Sequence, residues 1–106
     1  MNVAILVAAG KGTRMGPEVD KLFLELEGAP VAAHTWRRFE ESEIIQRIIV
    51  VAREGMQAAF EELAREHGFK KPFSIVAGGK ERQDSVWNGL EAAPAETEVV
   101  AIQDAA

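Results

Sequence analysis

Apolar positions in this 106-residue chain alternate between unbroken runs and helical stripes. Asn2-Val-Ala-Ile-Leu-Val-Ala-Ala9 is a continuous aliphatic run, as expected of a strand buried on both faces. Gly10 to Pro17 cannot continue it and reads as loop. Lys21 to Glu27 alternates, with Leu22, Leu24 and Leu26 set against Phe23, Glu25 and Glu27, and predicts a short extended piece. Pro30 suits the first turn of a helix that carries Val31, His34, Thr35, Arg38 and Phe39 at helical spacing. Ile44 to Ala52, rich in β-branched residues, predicts a second buried strand. Gly55 to His67 predicts an amphipathic helix with Met56, Ala59, Phe60, Leu63 and Ala64 inward and Gly68 as its stop. Phe73 to Ala77 predicts a third strand, closed by Gly78-Gly79. Glu81 to Ala93 reads as helix, with Val86, Leu90 and Ala93 inward and Pro94 ending it, and Thr97 to Ile102 as a fourth strand.

Strands separated by helices predict an α/β fold, a doubly wound, Rossmann-like and mostly parallel sheet. Right-handed crossovers give the strand order 3-2-1-4, with a topological switch between the first and fourth strands. Ligands of such sheets bind at the carboxyl ends of the strands beside the switch. The loop Gly10–Gly16 and Asp104, about 90 residues apart in the chain, are therefore expected to face one another. No helix follows the fourth strand to cover it, which predicts a partly bare edge and suggests the first half of a longer domain. Residues 1–106 are read as one unit without linker or repeat.

Composition narrows the chemistry. There is no cysteine, which excludes a disulfide scaffold, a zinc ribbon and a cysteine nucleophile. The apolar start is far shorter than the roughly 20 residues that span a bilayer and carries no basic leader, so a cytoplasmic protein without membrane contact is expected. A formal charge of −5 argues against general nucleic-acid binding. Within this acidic chain, residues 1–16 hold Lys11 and Arg14 and no acid, and Lys80 and Arg82 lie beside Gly78 and Gly79. Basic glycine-rich stretches in an acidic protein point to an anion.

Ala8-Ala9-Gly10-Lys11-Gly12-Thr13-Arg14-Met15-Gly16 follows the first strand. Glycines admit close approach of backbone to ligand, and successive N–H groups with Lys11 and Arg14 form an anion cradle. The stretch is neither a Walker A loop nor a dinucleotide fingerprint, whose third glycine is replaced by Met15. Arg14 and Lys21 supply a guanidinium fork and a mobile ammonium able to neutralise charge that grows in nucleotidyl transfer. In Gly78-Gly79-Lys80-Glu81-Arg82-Gln83-Asp84-Ser85-Val86, the acids favour a helix N-terminus, and turn backbone with Ser85 could read a base edge. Asp104 is a candidate magnesium ligand or a plain turn former. His34, His67, Trp36 and Trp87 are assigned to packing or surface cover.

Together these segments resemble the nucleotidyltransferases that join a nucleoside triphosphate to a phosphorylated small molecule. Gly78-Gly79-x-Glu81-Arg82-x-Asp84-Ser85-Val86-x-x-Gly89-Leu90, followed by Asp104-Ala105-Ala106, is similar to the 2-C-methyl-D-erythritol 4-phosphate cytidylyltransferases over the whole chain. The resemblance implies transfer of CMP from CTP to a phosphorylated polyol, with release of pyrophosphate, in isoprenoid precursor synthesis. It implies that Arg14 and Lys21 stabilise the pentacoordinate α-phosphate. It assigns CTP contacts to Ala8, Ala9, Gly10, Gly12, Gly79, Lys80, Ser85 and Ala105, and magnesium to Asp104. Arg82 and Asp84 are implied to form a pair that brace the loop. Gln103 departs from the histidine frequent in the family. The acceptor contacts and homodimer arm are implied to lie beyond residue 106, so this stretch alone is expected to be weak or inactive. Ribitol 5-phosphate cytidylyltransferase and a non-catalytic nucleotide-binding module are the rival readings. An NAD-dependent dehydrogenase is opposed by Met15 and by Arg53, which stands where a ribose-binding acid would be expected.

Overall fold

The aliphatic run near the amino terminus forms β1 (Asn2–Ala8), and every residue after Asn2 in it is buried. The computed structural model describes residues 1–9, 25–26 and 29–105. The elements that follow are a two-residue hairpin, β2 (Glu25–Leu26) with β3 (Ala29–Pro30), then α1 (Val31–Glu40), β4 (Arg47–Ala52), α2 (Gln57–His67), β5 (Phe73–Ala77), α3 (Arg82–Ala92) and β6 (Val99–Asp104). The main sheet has the order β5-β4-β1-β6, and all three of its pairings are parallel. This is the doubly wound order read from the sequence, with the switch between β1 and β6.

Period-two alternation divides the sheet into two cores. Ala4, Leu6 and Ala8 of β1 with Ile48, Val50 and Ala52 of β4 face Ala32, Ala33 and Trp36 of α1 and Phe60, Leu63 and Ala64 of α2. Val3, Ile5, Val7, Ile49 and Val51 face the other way, where Val86, Ala92 and Ala93 pack on them. Among the described residues, two helices thus cover one face and α3 covers the other. Trp36 is fully buried, stacked on Phe69 with centroids 5.3 Å apart and edge-on to Phe73 at 5.1 Å.

Four expectations shift in detail. The second strand begins at Arg47, because Ile44 is tied locally: its N–H donates to Ser42 Oγ and its carbonyl accepts from Gln46 Nε2. Such side-chain bonds compete with the ladder, and Ile44 is exposed. Pro30 closes β3, and the helix starts one residue later. Gly55, at φ 88°, cannot be helical, so α2 begins at Gln57; Gly68 at φ 67° ends it as expected. The fourth strand runs two residues further than expected, so that Asp104 is its last residue, opposite Val7 of β1.

Leu90 is a correction. It is 37% exposed, and the fully buried positions of α3 are Ser85 and Gly89, with Val86 and Ala92 packed beside them on the sheet. A Cβ at Gly89 would lie 2.8 Å from Ile5 Cγ2 and 3.0 Å from Val51 Cγ2, so the helix approaches the sheet too closely for a larger residue there. Close approach selects small side chains for the contact and turns Leu90 outward.

Candidate functional site

The chain leaves the four strands at the same end of the sheet, and the described candidate residues gather there. Ala8 is buried and Ala9 half-buried at the tip of β1. Gly78 N–H donates to Ala52 O at 2.8 Å, which ties the end of β5 to the end of β4. A Cβ on Gly78 would collide with the Cβ of Ala9 and lie 2.9 Å from Ser85 Oγ, so the turn after β5 presses on the residue that follows β1. Only glycine leaves room for that approach.

Ser85 lies beneath this turn. It is buried, and its Oγ accepts the Gly79 N–H at 3.1 Å. Glu81 and Asp84 form a capping box at the start of α3, in which Asp84 Oδ2 accepts the Glu81 N–H at 3.1 Å. Asn88 Nδ2 donates to Ala77 O at 3.1 Å. The turn is therefore held from three successive points of one helix, while Gly79 and Lys80 remain exposed on its outer side. A rigid exposed turn offers its backbone polar groups to a ligand without reorganisation.

At the tip of β6, Ala105 is buried; its N–H donates to Val7 O at 2.9 Å and its carbonyl accepts from Thr35 Oγ1 at 2.9 Å. Asp104 projects from the strand end, where Arg82 Nε donates to Oδ1 at 3.0 Å and Arg82 Nη2 to Oδ2 at 3.3 Å. The arginine thus engages Asp104, not Asp84, which is occupied with capping. Thr35, Asn88 and the Arg82–Asp104 contact carry no site signal in the sequence. Residue type alone does not reveal them, since their partners are backbone carbonyls or lie 22 residues away.

Gly10, Gly12, Arg14 and Lys21 lie outside the described residues, so the anion cradle and its basic pair receive no geometry. Among the described residues no three His, Asp or Glu side chains converge as a metal centre. A single carboxylate nevertheless suits magnesium that arrives on a triphosphate, because that ion takes one or two protein carboxylates and completes its shell with phosphate and water. Arg82 uses one acceptor direction of each Asp104 oxygen and leaves another on each. His67, the last residue of α2, stands away from this end. His67 Nδ1 contacts Arg37 Nη2 at 3.1 Å and its ring stacks on Phe69. No helix among the described residues is long and apolar enough to cross a membrane.

Comparison with known proteins supplies a family and a fold. Residues 2–106 match the sequence profile of IspD, 2-C-methyl-D-erythritol 4-phosphate cytidylyltransferase. Relatives of that name in Clostridium botulinum (strain 657 / Type Ba4) and Alkaliphilus oremlandii are 43% identical over 105 residues and 44% identical over 103. These alignments take in 99% and 96% of this chain but 46% and 44% of the relatives, so the chain spans about half their length. In structure, 99% of the chain superposes on 43% of the 4-diphosphocytidyl-2C-methyl-D-erythritol synthase of Anaerococcus prevotii, with a TM-score of 0.83 and 26% identity. The inositol-1-phosphate CTP transferase of T. maritima shares the fold, with a TM-score of 0.78 and 20% identity over 99% of this chain and 43% of its own.

Proposed function

The chain belongs to the family of 2-C-methyl-D-erythritol 4-phosphate cytidylyltransferases, and we propose that it forms the CTP-binding part of an enzyme that transfers CMP from CTP to 2-C-methyl-D-erythritol 4-phosphate. The observation that carries the reading is convergence. Ala8–Ala9, the Gly78–Lys80 turn and Asp104–Ala105 meet at the carboxyl ends of the strands beside the switch, and these are positions to which the resemblance assigns nucleotide contacts.

The reaction needs no nucleophilic side chain. A phosphate oxygen of the acceptor attacks the α-phosphorus of CTP, the bond from that phosphorus to the β-phosphate oxygen breaks, and pyrophosphate leaves. The protein supplies position and charge. In this reading Arg14 and Lys21 neutralise the negative charge that builds on the pentacoordinate α-phosphate. Backbone groups of Ala8, Ala9, Gly10 and Gly12 line the triphosphate, those of Gly79 and Lys80 with Ser85 as a further partner line the base, and Ala105 contacts the ribose or base. Asp104 would hold magnesium, which screens the phosphates when bound. The acceptor is a phosphorylated polyol. The same reading carries a cytoplasmic homodimer that handles neither nucleic acid nor membrane, supported by the family match and the net charge of −5.

Pyrophosphate release tests it, with CTP and magnesium present and 2-C-methyl-D-erythritol 4-phosphate or ribitol 5-phosphate offered separately to the complete protein. Turnover confined to the first is the expected result. Turnover confined to ribitol 5-phosphate would replace the acceptor, and CTP binding without turnover on either would leave a nucleotide-binding module.

A further inference from the structure

The contact between Arg82 and Asp104 joins the two ends of the candidate site. The chain leaves the sheet at β5, the outermost strand on one side, and Arg82 opens α3 five residues after Ala77. Asp104 ends β6, the outermost strand on the other side, three strand positions away. The turn after β5 carries the chain over β4 to Ala9 at the end of β1. Arg82 at the start of α3 therefore meets the tip of the adjoining strand β6 and closes the ring of loops above the sheet. Its base is fixed, because the capping box and the Gly79–Ser85 hydrogen bond hold the start of α3. Its target is not fixed by the strand. Among the described residues β6 pairs with β1 on one side only, and the Asp104 carboxylate has Arg82 as its side-chain partner.

We propose that Arg82 is a positioning residue: its guanidinium fork sets the direction of the Asp104 carboxylate and makes the Gly78–Lys80 turn and the β6 tip move together. This rests on the nucleotide-binding reading above for its purpose, but not for its geometry. The contact uses Nε and Nη2 on two different carboxylate oxygens, 3.0 and 3.3 Å away, and so constrains the rotation of the carboxylate as well as its distance. Lysine, a point charge on a flexible stem, would retain attraction but not that constraint. Both side chains are about half exposed, so the contact contributes little to global stability and its effect is local.

Amide hydrogen exchange on the nucleotide-free protein tests the geometry. Arg82→Ala is expected to speed exchange at Ala105 and Glu81 by about fivefold, the scale of one exposed ion pair, while β1 amides and the melting temperature stay unchanged. Asp104→Asn is expected to act alike, and the double variant to be no worse than either single one. Additive effects, or unchanged exchange at Ala105 in Arg82→Ala, overturn the proposal. Arg82→Met, which keeps the apolar stem, repeats the test should the alanine variant unfold.

Calorimetry with magnesium-CTP then addresses purpose. Arg82→Ala is expected to weaken binding in the wild-type background and to have no further effect beside Asp104→Asn. A loss of equal size in both backgrounds would mean that Arg82 meets the nucleotide directly, and would overturn the positioning role. Wild-type protein that binds no CTP would defeat the nucleotide-binding reading alone, since the exchange result still decides the geometry.

Discussion

A methyl group added at Gly78 would strike the Cβ of Ala9 and crowd Ser85 Oγ, so Gly78→Ala must displace either the turn or the tip of β1. We expect about 1–3 kcal/mol of destabilisation, the usual cost of overpacking, together with weaker CTP binding than the loss of stability alone would cause. Chemical denaturation and calorimetry on the same variant separate the two. Ser85→Ala is milder by the same reasoning. Gly79 is exposed, so its N–H recovers a hydrogen bond to water, and the expected cost is about 0.5–1.5 kcal/mol. A cost above 3 kcal/mol would show that the serine hydroxyl has a second buried partner. These residues were legible as a group, because two glycines after an apolar run mark a turn at a strand end. Their mutual contact was not legible, because Ala9 and Gly78 are 69 residues apart and only the parallel order of β1, β4 and β5 brings them together.

Helix α3 shows where an apolar pattern misleads at the scale of an element. Leu90 has the hydrophobicity expected of a core position, yet the helix lies so close to Ile5 and Val51 that Gly89 and Ser85 make the contact. Gly89→Ala is therefore expected to destabilise by about 1–3 kcal/mol through overpacking, although alanine is the better helix former. Leu90→Ala is expected to cost less than about 1 kcal/mol, because most surface substitutions do. Equal effects on thermal unfolding would contradict the close approach. The two tryptophans divide in the same way. Trp36 is fully buried between α1 and the sheet and Trp87 is 61% exposed, so Trp36→Ala is expected to cost about 3–5 kcal/mol and Trp87→Ala almost nothing. Periodicity supplied α2 well because a wide aliphatic stripe faces a wide aliphatic sheet, whereas in α1 the buried residues are Ala32, Ala33 and Trp36 and not the spaced set His34, Thr35, Arg38 and Phe39. It failed for Leu90 because small residues leave no hydrophobic signal.

At the scale of the whole molecule, the strand order was legible because crossover handedness leaves few arrangements, but the exposure of each strand depends on what flanks it. β1 and β4 lie inside the sheet and their aliphatic residues are buried, whereas β6 shows Val99 at 55% and Ile102 at 41% exposure. Parallel sheets ordinarily cover both faces and protect their edges. Val99 and Ile102 point to opposite faces, and among the described residues β6 has no partner on its outer side. Among the described residues the outer edge of β6 is therefore apolar and carries unpaired backbone groups, and such an edge recruits another strand. Sedimentation velocity is expected to show its apparent mass rising with concentration. Ile102→Lys places a charge on that edge and is expected to suppress the rise while leaving the melting temperature within a few degrees, since Ile102 contributes little to either core. A wild-type chain that stays monomeric across the concentration range would show that the edge is closed in solution. The consequence reaches the site, because Asp104 is the last residue of this same strand. Whatever covers β6 also bears on the carboxylate that Arg82 holds.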